Sequence, residues 1–295
     1  MERVKRAFQT FVGVDLGGGR GKTTAVARLE ATADGTARVV EVGTRTRSGE
    51  LWYDDALVSC LRSYSAGTVV AVDAPLTLTA CVRCVERLCP GQAVCEVPAV
   101  AWMRQTTARH AEALAVAEQA LAVREQPRSM ELLTHDARSK PRFAPYAQRA
   151  TELYLHQSAE TPLRDSTGPL GARAQHLMRR LTDLYRLNEN LLEVSPRLTV
   201  HQLFGARIAR RYRRSAETWS TRARVLEGLS QGLQFAVWRE SCLQNDHCFD
   251  AVLCAYTAFL WARDGWTLPE EGREVFEQDG WIWHPPAPLN RPGRE

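Results

Sequence analysis

The chain opens on short apolar stretches in which polar residues alternate with apolar ones or gather at the ends. Residues 8–16, 22–31 and 37–46 read as three strands, the last two joined by the hairpin signal Ala33-Asp34-Gly35-Thr36. Residues 50–64 instead set Leu51, Leu57, Cys60, Leu61 and Tyr64 on one side at helical spacing. Residues 68–74, TVVAVDA, form a continuous apolar run ending in Asp73, the pattern of a strand buried on both faces, and Pro75 closes it. NLLEVSP, residues 190–196, is another short apolar run, with a single acid, Glu193, and a proline stop. Helices are expected over residues 200–215 and 221–240, followed by a strongly apolar helix over 246–263. Trp281-Ile282-Trp283 is a candidate last strand, and the Pro-rich tail, 285–295, has a disordered composition. There is no internal repeat.

Residues 76–187 read differently, as a mainly helical insertion. A cysteine cluster opens it, and an Ala-rich helix follows over 106–125. A Pro- and Arg-containing linker at 139–145 leads into helical stretches near 146–156 and 172–187. Three strands, a helix, a strand, then a further strand and a final helix is the order of a ribonuclease H-like fold. The expected class is α/β: a mixed sheet flanked by helices, with a core from 1–75 and 188–295 and the insertion at 76–187.

Composition narrows this picture only slightly. Of 295 residues, 44% are hydrophobic and 24% charged, as in an ordinary soluble domain with a real core. Lys and Arg number 38 against 34 acids, a net charge of +4, so any basic surface must come from clustering. The start, MERVKRAFQT, lacks the apolar core of a signal peptide, and no apolar run reaches membrane-spanning length. The expected location is the cytoplasm, with no membrane partner. There, eight cysteines, four of them at 81–95, favour metal ligation over disulfides.

The candidate chemistry starts at residues 11–24, FVGVDLGGGRGKTT, where an apolar run delivers Asp15 to a glycine-rich turn. Asp15, Asp73, Glu193 and Asp250 come from four distant segments, three of them ends of apolar strands. Carboxylates gathered from such positions repel one another unless a divalent cation binds between them, and oxygen ligands suit Mg²⁺ or Mn²⁺. Ions held there could activate water and stabilise the leaving oxygen of a phosphodiester. Asp15, Asp73 and Asp250 are the expected ligands, with Glu193 a ligand or general base. The bland reading has each acid capping its own turn or helix.

On the last helix, Asp246 and Asp250 are i and i+4, and His247 and Asp250 are i and i+3, so all three can address one site. Asp246 also stands where an N-cap would. His247 reads equally as an acid/base group or ligand and as a surface histidine.

GVDLGGG, VVAVDAPL, LLEVSP, DAVLCAYTAFLWA and DGWIWHP, in this order, resemble the predicted-nuclease family with an RNase H fold (domain of unknown function 429). The resemblance spans most of the chain but rests on short motifs. It implies the fold and a divalent-metal nuclease site at Asp15, Asp73, Glu193 and Asp250. His247-x-x-Asp250 is also similar to the last helix of RuvC-type resolvases, which carry a glutamate where this chain has Asp73.

Two rivals attach to the glycine turn. GGRGKT ends like a Walker A loop, but Leu16 stands where its first glycine belongs, and the chain resumes as a strand rather than a helix. Asp-Leu-Gly-Gly-Gly between strands also resembles the phosphate loop of sugar-kinase and actin-like ATPases, in which Asp15 would position Mg²⁺. Those proteins need a second comparable domain, and residues 76–187 show no such repeat.

Cys81-x2-Cys84-x4-Cys89-Pro90-x4-Cys95 can enclose Zn²⁺ or a [4Fe–4S] cluster in one loop. Cys60, Cys242, Cys248 and Cys254, on apolar segments, read as buried thiols. Arg207, Arg210, Arg211 and Arg214 form a helical stripe, with Ile208 and Tyr212 behind it and Arg213, Arg222 and Arg224 extending it. Such a face attracts a phosphate backbone or is simply solvated and paired to acids such as Glu217. Arg138, Lys140, Arg142 and Arg149 would make the other wall of a groove. The sequence thus points to a metal-dependent nuclease acting on DNA or RNA. A phosphotransferase or ATPase of the actin-like kind and a non-catalytic nucleic-acid-binding module are the alternatives.

Overall fold

A computed structural model of the protein describes residues 7–18, 22–64, 66–122, 143–159, 168–214 and 216–286. Two compact units are present. The first holds Met1–Leu76, Gly168–Leu268 and Gly280–Glu295, and the second Thr77–Thr167 with Pro269–Asp279. The sequence boundaries of the insertion thus shift: residues 168–187 pack with the first unit, and Pro269–Asp279 with the second.

The first unit is built on one mixed sheet. β1 (Thr10–Asp15), β2 (Ala25–Ala31) and β3 (Ala37–Gly43) form an antiparallel meander. Helix α1 (Asp54–Arg62) then leads to β4 (Thr68–Val72), which pairs parallel with β1. β5 (Leu191–Val194) pairs parallel with β4, a short β6 (Leu233–Phe235) with β3, and β7 (Ile282–Trp283) with β5. The spatial order is β6-β3-β2-β1-β4-β5-β7. This is the expected α/β architecture with RNase H-like topology.

Alternation along β1 explains how the sheet takes helices on both sides. Val12, Val14 and Leu16 join Val70, Val72, Leu57, Leu61 and the α5 (Pro169–Arg179) residues Ala174 and Leu177 in one core. Phe11 and Gly13 face the other way, onto α10 (Asp246–Asp264), where Phe11 meets Phe259 edge to face at 5.5 Å. That long helix is buried along most of its length, as its all-round apolar sequence requires. Asn245 caps it, accepting from the His247 and Cys248 amides, so Asp246 is the first helical residue rather than the cap.

Two helical expectations break at glycine. The helix expected over 200–215 is two, α6 (Pro196–Phe204) and α7 (Ala206–Arg214), divided at Gly205, whose φ of 88° suits glycine. Over 221–240, α8 (Thr218–Gly228) stops, β6 follows, and α9 (Glu240–Gln244) comes after it. Val225, Leu226, Leu229 and Leu233 keep helical spacing through this stretch, but the Gly232 carbonyl accepts from the Ala37 amide at the sheet edge.

The second unit contains α2 (Ala80–Arg83), α3 (Pro98–Ala122), α4 (Ala150–Ala159) and α11 (Arg273–Asp279), with no strand among its described residues. Trp102, Tyr154 and Phe276 meet one another, with centroids 5.3–6.4 Å apart, Phe276 edge to face against both other rings. Arg149 is buried and bonded to Glu152 and Thr77, so it holds this core together instead of walling a groove. Arg138, Lys140 and Arg142 lie outside the described residues.

Candidate metal centre

The β1–β4 register creates the site. Gly13 pairs with Ala71 and Val14 with Val72, and the Asp73 amide donates to the Val14 carbonyl at 2.9 Å. Asp15 and Asp73, two residues beyond Gly13 and Ala71, therefore leave adjacent strand ends on the same face. Helix α10 supplies the third acid because it lies directly against β1. A Cβ on Gly13 would stand 2.0 Å from the Ala251 carbonyl oxygen and 2.4 Å from the Ala255 nitrogen, so only glycine admits this approach. Asp250 precedes Ala251 and is carried to the strand ends. One ligand oxygen from each of Asp15, Asp73 and Asp250 lies within 4.8 Å of the others.

Arg213 reaches this point from α7. Its Nε donates to Asp250 Oδ2 at 2.7 Å, while Nη2 also contacts that oxygen, lies 3.4 Å from Asp73 Oδ2 and stands 4.0 Å from Asp15 Oδ1. Burial works against the guanidinium charge, but the Asp250 carboxylate and its neighbours outweigh burial and raise the Arg213 pKa. His247 Nδ1 sits 2.5 Å from Asp15 Oδ2, and that hydrogen bond raises the histidine's pKa against the effect of burial.

Asp250 is the most costly member. It is 1% exposed, and its Oδ1 has no hydrogen-bond partner. Burial, then the charges of Asp15 and Asp73, push its carboxyl up to about 8 in spite of Arg213. Three acids against one guanidinium leave excess negative charge beside Asp250, which adds to burial in disfavouring its ionised form. The Tyr212 hydroxyl is buried near the same carboxylate, short of hydrogen-bond geometry, and burial raises its pKa.

The other expected residues divide. Glu193 is not brought to the cluster. It pairs in register with Val72, not Asp73, so its side chain points to the opposite face, where Oε2 accepts from the Leu76 amide at 2.9 Å. Asp246 is half-buried one turn before Asp250 and acts on His247 through its charge, outside the gathered three. Arg207, Arg210 and Arg211 are exposed on α7, with Arg211 paired to Glu217 at 3.2 Å; the Arg214 side chain lies outside the described residues. Arg213 and Arg222 do not extend that stripe. Arg213 turns into the acids, and Arg222 is buried, donating to the carbonyls of Tyr212 and Leu243. Ala209, Tyr212 and Arg213 share the inward face of α7 at i, i+3 and i+4, the pattern that marks Arg213 as an inward residue.

Past the glycine turn the chain enters β2, not a helix, which removes the Walker A alternative. The Gly17 amide donates to Thr24 Oγ1 at 3.1 Å, and Arg173 bonds the Gly17 carbonyl and Thr24, so the base of the turn is tied down. Cys81, Cys84, Cys89 and Cys95 are free thiols. Among the described residues the three aspartates are the group of potential ligands drawn together; the four thiols are not gathered to one point.

An RNase H-like sheet with a buried acidic centre at its strand ends defines the class of protein. The chain belongs to the family described as "Protein of unknown function (DUF429)", whose model matches residues 13–274. Searches of curated proteins and of solved structures found no match. No helix among the described residues is long and apolar enough to cross a membrane.

Proposed function

We propose that the protein hydrolyses phosphodiester bonds of nucleic acid with Mg²⁺ or Mn²⁺ at the aspartate centre. One observation carries this reading: Asp15, Asp73 and Asp250, two of them buried and Asp73 half-buried, converge within 4.8 Å of one another, and Asp250 Oδ1 lacks a partner. Hard carboxylate oxygens fit hard cations, and Arg213 already stands among them as a positive charge. A divalent ion bound there supplies an activated water and charge stabilisation at the phosphate.

The chain's own groups do the rest. Asp15 orients His247 through Nδ1, which leaves Nε2 to give a proton to the departing oxygen. Arg213 offers its guanidinium to a phosphoryl oxygen beside the carboxylates. Helix α7 links site and substrate: Arg213 faces the acids, while Arg207, Arg210 and Arg211 project from the opposite side to meet the nucleic-acid backbone. Asp246 tunes His247, and Glu193 ties β5 to the chain leaving β4.

The test is cleavage of labelled single- and double-stranded DNA and RNA with Mn²⁺ or Mg²⁺, against EDTA and the Asp73→Asn variant. Metal-dependent cleavage absent from the variant is expected. Salt-sensitive binding without turnover, unchanged in Asp15→Asn, would make the protein a binding module instead. A nucleotide-binding reading has one supporting observation, a cavity of about 860 Å³ lined by Gly18, Lys22, Thr24, Trp52, Arg173 and His176. It predicts thermal stabilisation by ATP, which the nuclease reading does not.

A further inference from the structure

Residues 84–97 join α2 to α3 without helix or strand. This stretch turns apolar side chains outward: Val85 is 95% exposed, Leu88 84% and Val94 60%. A segment without a core of its own has little to offset the entropy of ordering it, unless a cross-link does so. All four cysteines of the 81–95 motif lie here or in the last turn before it. Two of them, Cys84 and Cys89, are exposed, whereas Cys81 is half-buried and Cys95 buried; of the other four, Cys242, Cys248 and Cys254 are buried and Cys60 is half-buried on α1.

The four thiols are not yet gathered, but their spacing and the turns of the chain between them let a single ion draw them together. Cys81 is on α2 and Cys84 caps its C-terminal end, so a C-x2-C pair is presented from one short helix. Gly91, at φ 92°, turns the chain between Cys89 and Cys95. The Val94 amide donates to the Gly91 carbonyl at 3.3 Å, and Arg104 Nη1 fastens the return by donating to the carbonyls of Gln92 at 2.8 Å and Cys95 at 3.0 Å.

We propose that Cys81, Cys84, Cys89 and Cys95 bind one structural Zn²⁺, which gathers the thiolates and orders residues 84–97. Binding releases the four thiol protons to solvent as four Zn–S bonds form, with no change of oxidation state. Zinc rather than an iron–sulfur cluster follows from exposure. Cys84 and Cys89 are open to solvent, which a redox-inert ion tolerates. This site is independent of the aspartate centre and of the nuclease reading.

The test uses the full chain, purified without chelator and then supplied with Zn²⁺. Elemental analysis is expected to find about one tightly held zinc per chain, as in a closed four-cysteine site. Asp15→Asn and Asp73→Asn keep it, whereas Cys84→Ser and Cys89→Ser lose it. Replacement by Co²⁺ produces a thiolate-to-metal charge-transfer band that vanishes in the serine variants. Both cysteines are exposed, so the variants retain their far-ultraviolet circular dichroism. Zinc retained in the Cys84→Ser/Cys89→Ser double variant overturns the proposal. So does a chain that stays zinc-free under reducing conditions, or one that carries iron with acid-labile sulfide.

Discussion

The aspartate centre and the cysteine loop are both sets of metal-ligand side chains, yet they are built in opposite ways. Asp15, Asp73 and Asp250 are placed by a strand register and by a helix packed on glycine, so their geometry exists before any ion arrives. That arrangement is electrostatically costly without a cation, and Arg213 relieves part of the cost. Cys81–Cys95 sits in a segment with exposed apolar side chains and no sheet or long helix to position it. There the ligand set precedes the geometry, and an ion would complete the fold. On the readings proposed above, the preorganised site does chemistry and the other serves a structural role.

The largest effects should come from removing charge or space in the preorganised site. Asp15→Asn or Asp73→Asn should lower metal-dependent cleavage about a hundred- to a thousandfold, the scale of losing one preorganised electrostatic group. Cys84→Ser should leave cleavage unchanged while lowering the melting temperature below that of the zinc-supplied wild type. Equal loss of cleavage in both would break the distinction between the sites. Gly13→Ala forces a methyl group onto backbone atoms of α10 rather than onto a movable side chain. Urea unfolding should show a loss of about 3 kcal/mol, the upper part of the overpacking range, together with loss of metal binding. Wild-type stability in this variant would mean that α10 does not need its close seat on β1.

A pH series sharpens the comparison next. The Asp250 carboxyl is raised from an ordinary value near 4 to about 8 by burial. Below the lower value it is protonated both folded and unfolded and costs nothing. As pH rises toward about 8 the unfolded chain gives up the proton first, so the metal-free protein loses stability across that window. Asp250→Asn should remove this decline, and unfolding measured across the window reads it directly. Metal binding has the opposite slope, because the ion replaces the proton. Calorimetry in buffers of different ionisation heat should detect proton release from this cluster on Mg²⁺ or Mn²⁺ binding. A flat stability profile in the wild type would show that Arg213 alone neutralises the site.

Much of the first site was legible in the sequence because alternation and strand ends are local signals. FVGVD and TVVAVD each carry an acid one step past a buried run, and DHCFDAVLCAYTAFLWARD is plainly a buried helix. The departures arise where placement depends on a partner. Glu193 has the same local pattern as Asp73, but parallel register sets it beside Val72 and sends it to the other face. Nothing within LLEVSP encodes that offset. Arg213 was hidden by its neighbours: five arginines in eight residues read as one surface, although Ala209 and Tyr212 mark the inward side. Gly13 stood inside the first expected strand with nothing to single it out, and its role is visible only once Ala251 and Ala255 lie against it. β6 was masked by leucines at helical spacing, with glycines 228 and 232 as the weaker, correct signal.

The smallest predicted effects belong to the outer face of α7, and they separate its two sides. Arg207 and Arg210 are exposed, and no acid pairs with their charged groups in an ion pair among the described residues; Arg210 Nε turns back to the Ala206 carbonyl. Arg207→Ala and Arg210→Ala should therefore leave stability within about 0.5 kcal/mol, as surface changes do. Each should weaken nucleic-acid binding uniformly across sequences and reduce the slope of log affinity against log salt by about 1. Arg213→Ala should act differently. It removes the internal cation, so metal affinity rises as the ion loses its competitor, while turnover falls with the phosphate contact. Fluorescence anisotropy over a salt series, with metal titration on the same variants, distinguishes these outcomes. If Arg207 and Arg210 left the salt slope untouched, α7 would carry Arg213 inward without presenting a nucleic-acid surface, and the substrate would have to approach by another face.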